Sequence, residues 1–210
     1  MNNQQVVWDK IAPYWVKVKQ RKYRSIEQMY QEVLKDWKKG MLLDVGCGGG
    51  RDAVVFARDG FEVTAVDFSS GMLAEAEKRI KRENIKVKLV QADAIHLPFA
   101  DASFEYVWCC NVMSTIVGAE HRQQAFNELY RVLKPGSEAV IGVWNKLQKR
   151  FVLKPKEINL PWKAGNEIVM RTYAHFFPWE LKRCLRKAGF SIVKMTGFFG
   201  PGLVVRVKKE

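Results

Sequence analysis

At 210 residues, with 48% hydrophobic and 27% charged side chains, the chain reads as one globular domain large enough to bury a full core. No stretch is long and apolar enough for a membrane span, and the opening Met1-Asn2-Asn3-Gln4-Gln5 lacks the basic-then-apolar pattern of a secretory signal, so a cytoplasmic protein is expected. The net charge of +13 is unevenly spread: residues 1–40 carry nine Lys and Arg against four Asp and Glu, residues 41–144 eleven against fourteen, and residues 145–210 fifteen against four.

Residues 1–40 read as helical. Trp8, Ile11, Tyr14 and Trp15 form an apolar stripe, and Ser25 is placed to cap a helix running to about Lys39. The stripe is expected to pack on the core. Residues 41–45 form a short apolar run that breaks into glycine at 46 and 48–50, and residues 51–58 have helical character. A second strand over 61–66 ends in Asp67, a helix spans 69–82, and a third strand over 87–90 leads to Gln91-Ala92-Asp93. A fourth strand, 103–110, is followed by Asn111-Val112-Met113-Ser114, then a helix over 120–133 and a strand over 138–144.

Strands and helices alternating at this rhythm predict a parallel sheet covered on both faces. Ligands then bind beyond the carboxyl ends of the strands, where Asp44, Asp67, Asp93 and Asn111 all fall. Residues 145–177 break the rhythm. They interleave Lys146, Lys149, Arg150, Lys154, Lys156, Lys163 and Arg171 with Phe151, Trp162, Tyr173, His175, Phe176 and Phe177. Such a stretch suits phosphate contacts combined with base stacking, or a β-hairpin over the sheet edge with its aromatics buried. A helix over 179–188 and strands near 190–196 and 203–207 complete the chain.

The glycine turn narrows the ligand. A phosphate-binding loop needs Gly-Lys-Ser/Thr after the glycines, and a dinucleotide turn a third glycine; here Arg51-Asp52 follows Gly50. Asp44 at the strand end favours a cationic or zwitterionic ligand over a polyphosphate, and S-adenosylmethionine, with its ammonium and sulfonium, fits. Asp67, twenty-one residues past Gly46, is placed to take both ribose hydroxyls, or serves as a turn or capping residue. Of the four cysteines, Cys109 and Cys110 are neighbours on a strand and point to opposite faces. All four, with Cys47 and Cys184, are expected as reduced thiols, and no metal site is expected.

Residues 41–144 resemble the core of class I S-adenosylmethionine-dependent methyltransferases. The matching pieces are Leu43-Asp44-Val45-Gly46-Cys47-Gly48, then Val66-Asp67-Phe68-Ser69 with Met72, and Ala92-Asp93-Ala94 leading to Leu97-Pro98-Phe99. Ser103-Phe104-Glu105 and Glu128-Leu129-Tyr130-Arg131-Val132-Leu133-Lys134-Pro135-Gly136 follow. The resemblance implies a Rossmann-like fold with a seven-stranded, mostly parallel sheet, helices on both faces and an antiparallel pair of final strands at one edge. It implies one methyltransferase domain over 1–210: a helical lid (1–40), a cofactor core (41–144), a basic aromatic insert (145–177) and a C-terminal helix with edge strands (178–210). It also implies S-adenosyl-L-methionine as cofactor, with S-adenosyl-L-homocysteine as product. The cofactor set is then Asp44, Gly46, Cys47, Gly48, Asp67, Phe68, Met72, Asp93, Ala94 and Asn111, with Tyr14 on the lid. Met72 either lies against adenine or fills the core.

A second resemblance concerns the acceptor. Trp8-Asp9-Lys10-Ile11-Ala12-Pro13-Tyr14-Trp15, Val143-Trp144-Asn145-Lys146, Ile158-Asn159-Leu160-Pro161-Trp162 and Arg171-Thr172-Tyr173 look like the tRNA wobble-uridine carboxymethyl methyltransferases. This chain departs from that pattern in having Ala174 where the family has a histidine, with His175 beside it, and Asn111-Val112-Met113-Ser114-Thr115 after the fourth strand. The resemblance implies tRNA as substrate and a possible small activating protein subunit, with Asn111, Arg171, Tyr173 and His175 as the acceptor-side set. Arg21, Arg24, Arg51 and Arg171 are candidates to hold an anion, and His96 is a loop residue. Two alternatives stay open: a quinone- or metabolite-methylating enzyme, and a cofactor-binding subunit that needs a partner.

Overall fold

Leu42 and Leu43 are both fully buried, yet they belong to different cores. Leu42 packs with Ile26, Phe56, Val63 and Trp108, and Leu43 with Phe126, Leu129, Ile141 and Val205. Successive strand residues point to opposite faces, so a strand apolar at every position needs cover on both sides. The computed structural model, which describes residues 3–18 and 24–210, supplies that cover.

In chain order the elements are α1 (Asn3–Trp15), α2 (Arg24–Asp36), β1 (Met41–Val45), α3 (Arg51–Arg58), β2 (Glu62–Asp67), α4 (Ser70–Glu83) and β3 (Lys88–Gln91). They continue with β4 (Phe104–Cys110), α5 (Ala119–Val132), β5 (Leu133–Trp144), β6 (Glu157–Ala164), β7 (Glu167–Ala174), α6 (Pro178–Ala188), β8 (Ser191–Thr196) and β9 (Gly202–Lys208). Seven strands form one sheet in the order β3-β2-β1-β4-β5-β9-β8, and β9 alone runs antiparallel to its neighbours. Strand order reverses beside β1, which opens the crevice where ligands of such sheets bind. Cys109 joins one core and Cys110 the other, as their adjacency requires.

Three local expectations change. Ser25 lies inside α2 rather than capping it, because its hydroxyl donates to the Gly202 carbonyl (3.3 Å). The helix ends at Asp36 instead of about Lys39, since the Trp37 indole donates to Glu138 (2.6 Å) and stacks on Tyr106 at 4.4 Å. And α2 fills a core under the sheet, so among the described residues of the first forty it is α1, with Val16 and Val18 after it, that lies near the strand tips. Ser69 does cap α4, accepting from the Met72 N–H at 3.1 Å.

The insert contains the β6–β7 hairpin. It forms a sheet of its own, packed against α1, and leaves the edge strands β3 and β8 uncovered by it. Phe151, Tyr173, His175 and Phe176 are buried, so these aromatics are not free to stack on bases. The physical reason is that α1 brings Trp8 and Trp15, which need apolar partners, and Trp162 and Tyr173 provide them.

Candidate cofactor cleft

Where β1 ends, the chain reverses at Gly46 with φ 67. A Cβ at this position would lie 2.1 Å from Val112 Cγ2, so only glycine lets the turn and the loop after β4 approach this closely. Beneath them opens a cleft of about 290 Å³, near the size range of small-molecule sites. Asp44, Asp67, Asp93 and Asn111 from four strand ends all line it. Asn111 has a left-handed backbone (φ 70), held by its N–H bond to the Gly142 carbonyl at 2.7 Å. Backbone strain of this kind concentrates at functional sites.

The acids are not equivalent. Asp44 is 3% exposed, and its Oδ2 has no hydrogen-bond partner. Burial, with Asp52 and Asp67 nearby, pushes its carboxyl well above the usual range. A buried carboxylate left half-satisfied in a cleft suits an incoming cation. Asp67 accepts the Gly48 N–H on Oδ2 (2.8 Å) and the Ser69 N–H on Oδ1 (3.0 Å). Burial raises it to about 6, against those two N–H bonds. Both its oxygens keep a lone pair for further donors, which suits a vicinal diol. Asp52 accepts from the Trp108 indole (3.1 Å) and from Arg51 (3.0 Å). Burial raises the Cys47 and Cys110 thiols, so neither is a ready nucleophile.

Asp44, Gly46, Cys47, Gly48, Asp67, Phe68, Met72, Asp93, Ala94 and Asn111 all line this one cleft. Tyr14 does not: it is 41% exposed, and its hydroxyl lies 2.6 Å from where a Cβ on Gly165 would stand. Its neighbours Trp15 and Val16 take the place expected of it. Val16 lies so close over Gly49 that a Cβ there would stand 2.4 Å from Val16 Cγ1. Arg51 lines the cleft, Arg24 does not, and Arg21 lies outside the described residues. The sequence reading also missed Asp52, Arg79, Thr115 and His121. Asp52 had a signal, an acid in the first turn of a helix after a glycine turn. Arg79 and His121 had none, since only packing brings α4 and the start of α5 to the rim. Arg79 donates to the Gly49 carbonyl at 2.7 Å and so ties α4 to the turn.

Of the acceptor-side set, only Asn111 reaches the cleft; Arg171, Tyr173 and His175 stand behind it. Arg171 is 6% exposed and takes part in no described ion pair. Its guanidinium faces the rings of Trp162 (4.4 Å), Tyr173 (5.0 Å), Trp15 (5.2 Å) and Trp8 (5.8 Å), and donates to the Tyr173 hydroxyl at 2.6 Å. Trp8 and Trp15 are also walls of the cleft. His175 is packed against Phe151 (4.1 Å) and Trp144 (5.5 Å), with both ring nitrogens unpartnered. Burial drops it to about 4, which holds the imidazole neutral. An acceptor-side role for His175 finds no support in this geometry, because its ring is buried and is not among the residues that line the cleft.

The family described as a methyltransferase domain matches residues 42–136. The ubiquinone biosynthesis O-methyltransferase of Rickettsia canadensis is 30% identical over 165 residues, 77% of this chain and 67% of that protein. The probable tRNA methyltransferase 9B of Mus musculus is 27% identical over 160 residues, 76% of this chain and 33% of that protein. The chain spans about half the length of several curated relatives it matches. An S-adenosylmethionine-dependent methyltransferase from Clostridium acetobutylicum has the same fold, with a TM-score of 0.74 at 16% identity over 97% of this chain and 96% of that one. Among the described residues no helix is long and apolar enough to cross a membrane. The unsatisfied acceptors on Asp44 and Asn111, and the open space around Gly48, fit the ammonium, hydroxyl and amino donors of S-adenosylmethionine, that family's cofactor. Sequence, fold and cleft thus converge, and the chain belongs to the class I S-adenosylmethionine-dependent methyltransferases.

Proposed function

We propose that this protein methylates tRNA, with a carboxylate on a uridine side chain as the acceptor. One observation carries the reading beyond the family. The four scattered segments that resemble the wobble-uridine enzymes contribute Trp8, Trp15, Trp144, Trp162, Arg171 and Tyr173, and these meet in one cluster against the cleft. The positive charge of the segments flanking the acidic core adds to it.

When bound, S-adenosylmethionine supplies a methyl group already activated on a sulfonium. Asp44 would hold its ammonium, Asp67 its ribose hydroxyls, and Asp93 with the 92–95 turn its adenine. The chain's remaining task is to position the acceptor in line and keep water out. A carboxylate acceptor needs no base, which agrees with a cleft whose one imidazole, His121, is tied through Nδ1 to the Val117 carbonyl at 3.1 Å. Asn111 Oδ1, buried and unpartnered on the cleft wall, would take a donor from the cofactor or the acceptor.

A quinone-type acceptor is the second reading, favoured by the Rickettsia canadensis relative. A third, a cofactor-binding subunit that works with a small partner, would show as cofactor binding without transfer by the isolated chain. Incubation with methyl-labelled S-adenosylmethionine, followed by separation of tRNA from small metabolites, distinguishes the first two. Label in tRNA that is lost on mild alkaline hydrolysis supports a methyl ester. Label only in the metabolite fraction overturns the tRNA reading.

A further inference from the structure

Phe151, Tyr173, His175 and Phe176 of the insert are buried and Trp162 and Phe177 half-buried, yet three other apolar rings face solvent close by. Phe199 is fully exposed at the β8–β9 turn, Phe198 is partly exposed beside it, and Trp179 at the start of α6 is 62% exposed. These positions are fixed by polar bonds rather than left loose. Asn145, 1% exposed, donates through Nδ2 to the carbonyls of Phe198 (2.8 Å), Gly200 (3.0 Å) and Gly197 (3.3 Å), and its Oδ1 accepts the Leu147 N–H at 2.9 Å. Gln148 donates to the Pro201 carbonyl at 2.8 Å. Trp179 stacks face to face on Phe177, with ring centroids 4.5 Å apart and planes 12° apart.

Between the two aromatic sites runs the 147–156 loop. The buried Lys146 ammonium gathers the carbonyls of Phe151, Val152 and Lys154, and Lys156 pairs with Glu180 of α6 at 2.9 Å. The turn, the loop and the head of α6 are therefore one continuous surface. It stands at the carboxyl end of β5, on the same edge of the sheet as the cleft, because Asn145 bridges Phe176. Residues 145–156 contain five Lys and Arg and no Asp or Glu. Lys149, Arg150 and Lys154 are exposed and join no described ion pair, and Lys182 and Arg183 continue the positive charge along α6.

We propose that this surface is a docking platform for a single-stranded RNA segment, with Phe199 and Trp179 stacking on bases and Lys149, Arg150 and Lys154 meeting phosphates. The proposal rests on the tRNA reading and moves the RNA contact from the buried aromatics of the insert to rings outside it. Rigid aromatic surface carries binding at little entropic cost, and unpaired cations supply the charge complement of a nucleic-acid backbone. A bare basic patch would need no fixed rings.

The test is fluorescence anisotropy with a labelled single-stranded RNA oligonucleotide and with bulk tRNA, alongside vesicles containing anionic lipid. Phe199→Ala is expected to weaken RNA binding about fivefold or more, the effect of losing one stacked base. Ile168→Ala, at a largely exposed apolar residue on the β6–β7 hairpin, leaves it within about twofold. Changing Lys149, Arg150 and Lys154 together to Ala lowers the slope of log affinity against log salt by about two, at about 0.7 per phosphate contact. S-adenosylmethionine affinity, unchanged in all of them, reports that they fold. If wild-type protein methylates tRNA while Phe199→Ala binds RNA as well as wild type, the platform is wrong and the tRNA reading stands. If wild type neither binds nor methylates RNA, both fall. Binding to anionic vesicles that depends on Phe199, without RNA binding, also overturns the platform, in favour of a membrane surface.

Discussion

Asp44, proposed to hold the cofactor's ammonium, shows how such a role costs stability before the ligand arrives. Its carboxylate is buried with Asp52 and Asp67 for neighbours, and Oδ2 accepts nothing. Asp44→Asn keeps the shape and removes the charge. The unliganded variant should therefore melt higher than wild type, while its affinity for S-adenosylmethionine falls on the order of tenfold or more, the worth of a charged hydrogen bond. Thermal melts and calorimetric titration read the two effects separately, and a variant that melts lower with unchanged affinity contradicts the assignment. Asp67 gives a pH test. Its folded value of about 6 lies above that of an unfolded chain, so the folded state binds the extra proton across that window. Through this group, then, stability of the unliganded protein declines as pH rises from about 4 to about 6. Ligand affinity runs the other way, since a protonated Asp67 loses acceptor sites for a diol. The dissociation constant should rise as pH drops below about 6, and Asp67→Asn should flatten that rise. Asp67 was legible from its distance past Gly46. The unpartnered state of Asp44 was not, because it depends on where α3 and β2 place their own acids.

Between elements, Arg171 joins α1 to the β6–β7 hairpin. It is a cation held by four rings and one hydroxyl rather than by a carboxylate. Each such contact contributes about 0.5–2 kcal/mol when desolvated, more than an exposed salt bridge. Arg171→Ala should release α1, raising amide exchange in residues 3–15 about tenfold or more while the strands of the central sheet stay protected. Loss of protection across the whole sheet would show that Arg171 holds the fold and not this one joint. Since Val16 follows α1 and lies over Gly49, the same variant should weaken cofactor binding. The Arg171-Thr172-Tyr173 string marked these residues as important. Its role as a joint, set behind the cleft rather than in it, follows from the register that pairs Leu160 with Arg171 and Ile158 with Tyr173. No spacing rule reveals that register.

Across the whole molecule, charge is sorted by segment: the core strands and helices carry a slight acidic excess and the flanking segments all the positive balance. The topology then brings residues 145–156 and α6 to the carboxyl edge of the sheet, beside the acidic cleft. If that juxtaposition serves a polyanion, raising salt from about 50 to 200 mM should weaken tRNA binding at least about tenfold while S-adenosylmethionine affinity barely moves. Equal loss of both in filter-binding and calorimetric assays would place the salt effect in the fold instead.

The sequence by itself determined the parallel sheet of alternating strands and helices, the glycine turn and the acids at the strand ends that line the cleft; the rest of the cofactor set came with the family resemblance. These are local facts: alternation, glycine where β1 must turn sharply, and acids at strand ends. Only the tertiary structure decided that α2 belongs to the core and that Tyr14 yields to Trp15 and Val16. It also decided that His175 is buried and that Phe199 and Trp179 are the most exposed rings among the described residues. Each of these depends on which distant surface an apolar side chain finds to bury against, and burial is settled by the packing of elements far apart in the chain.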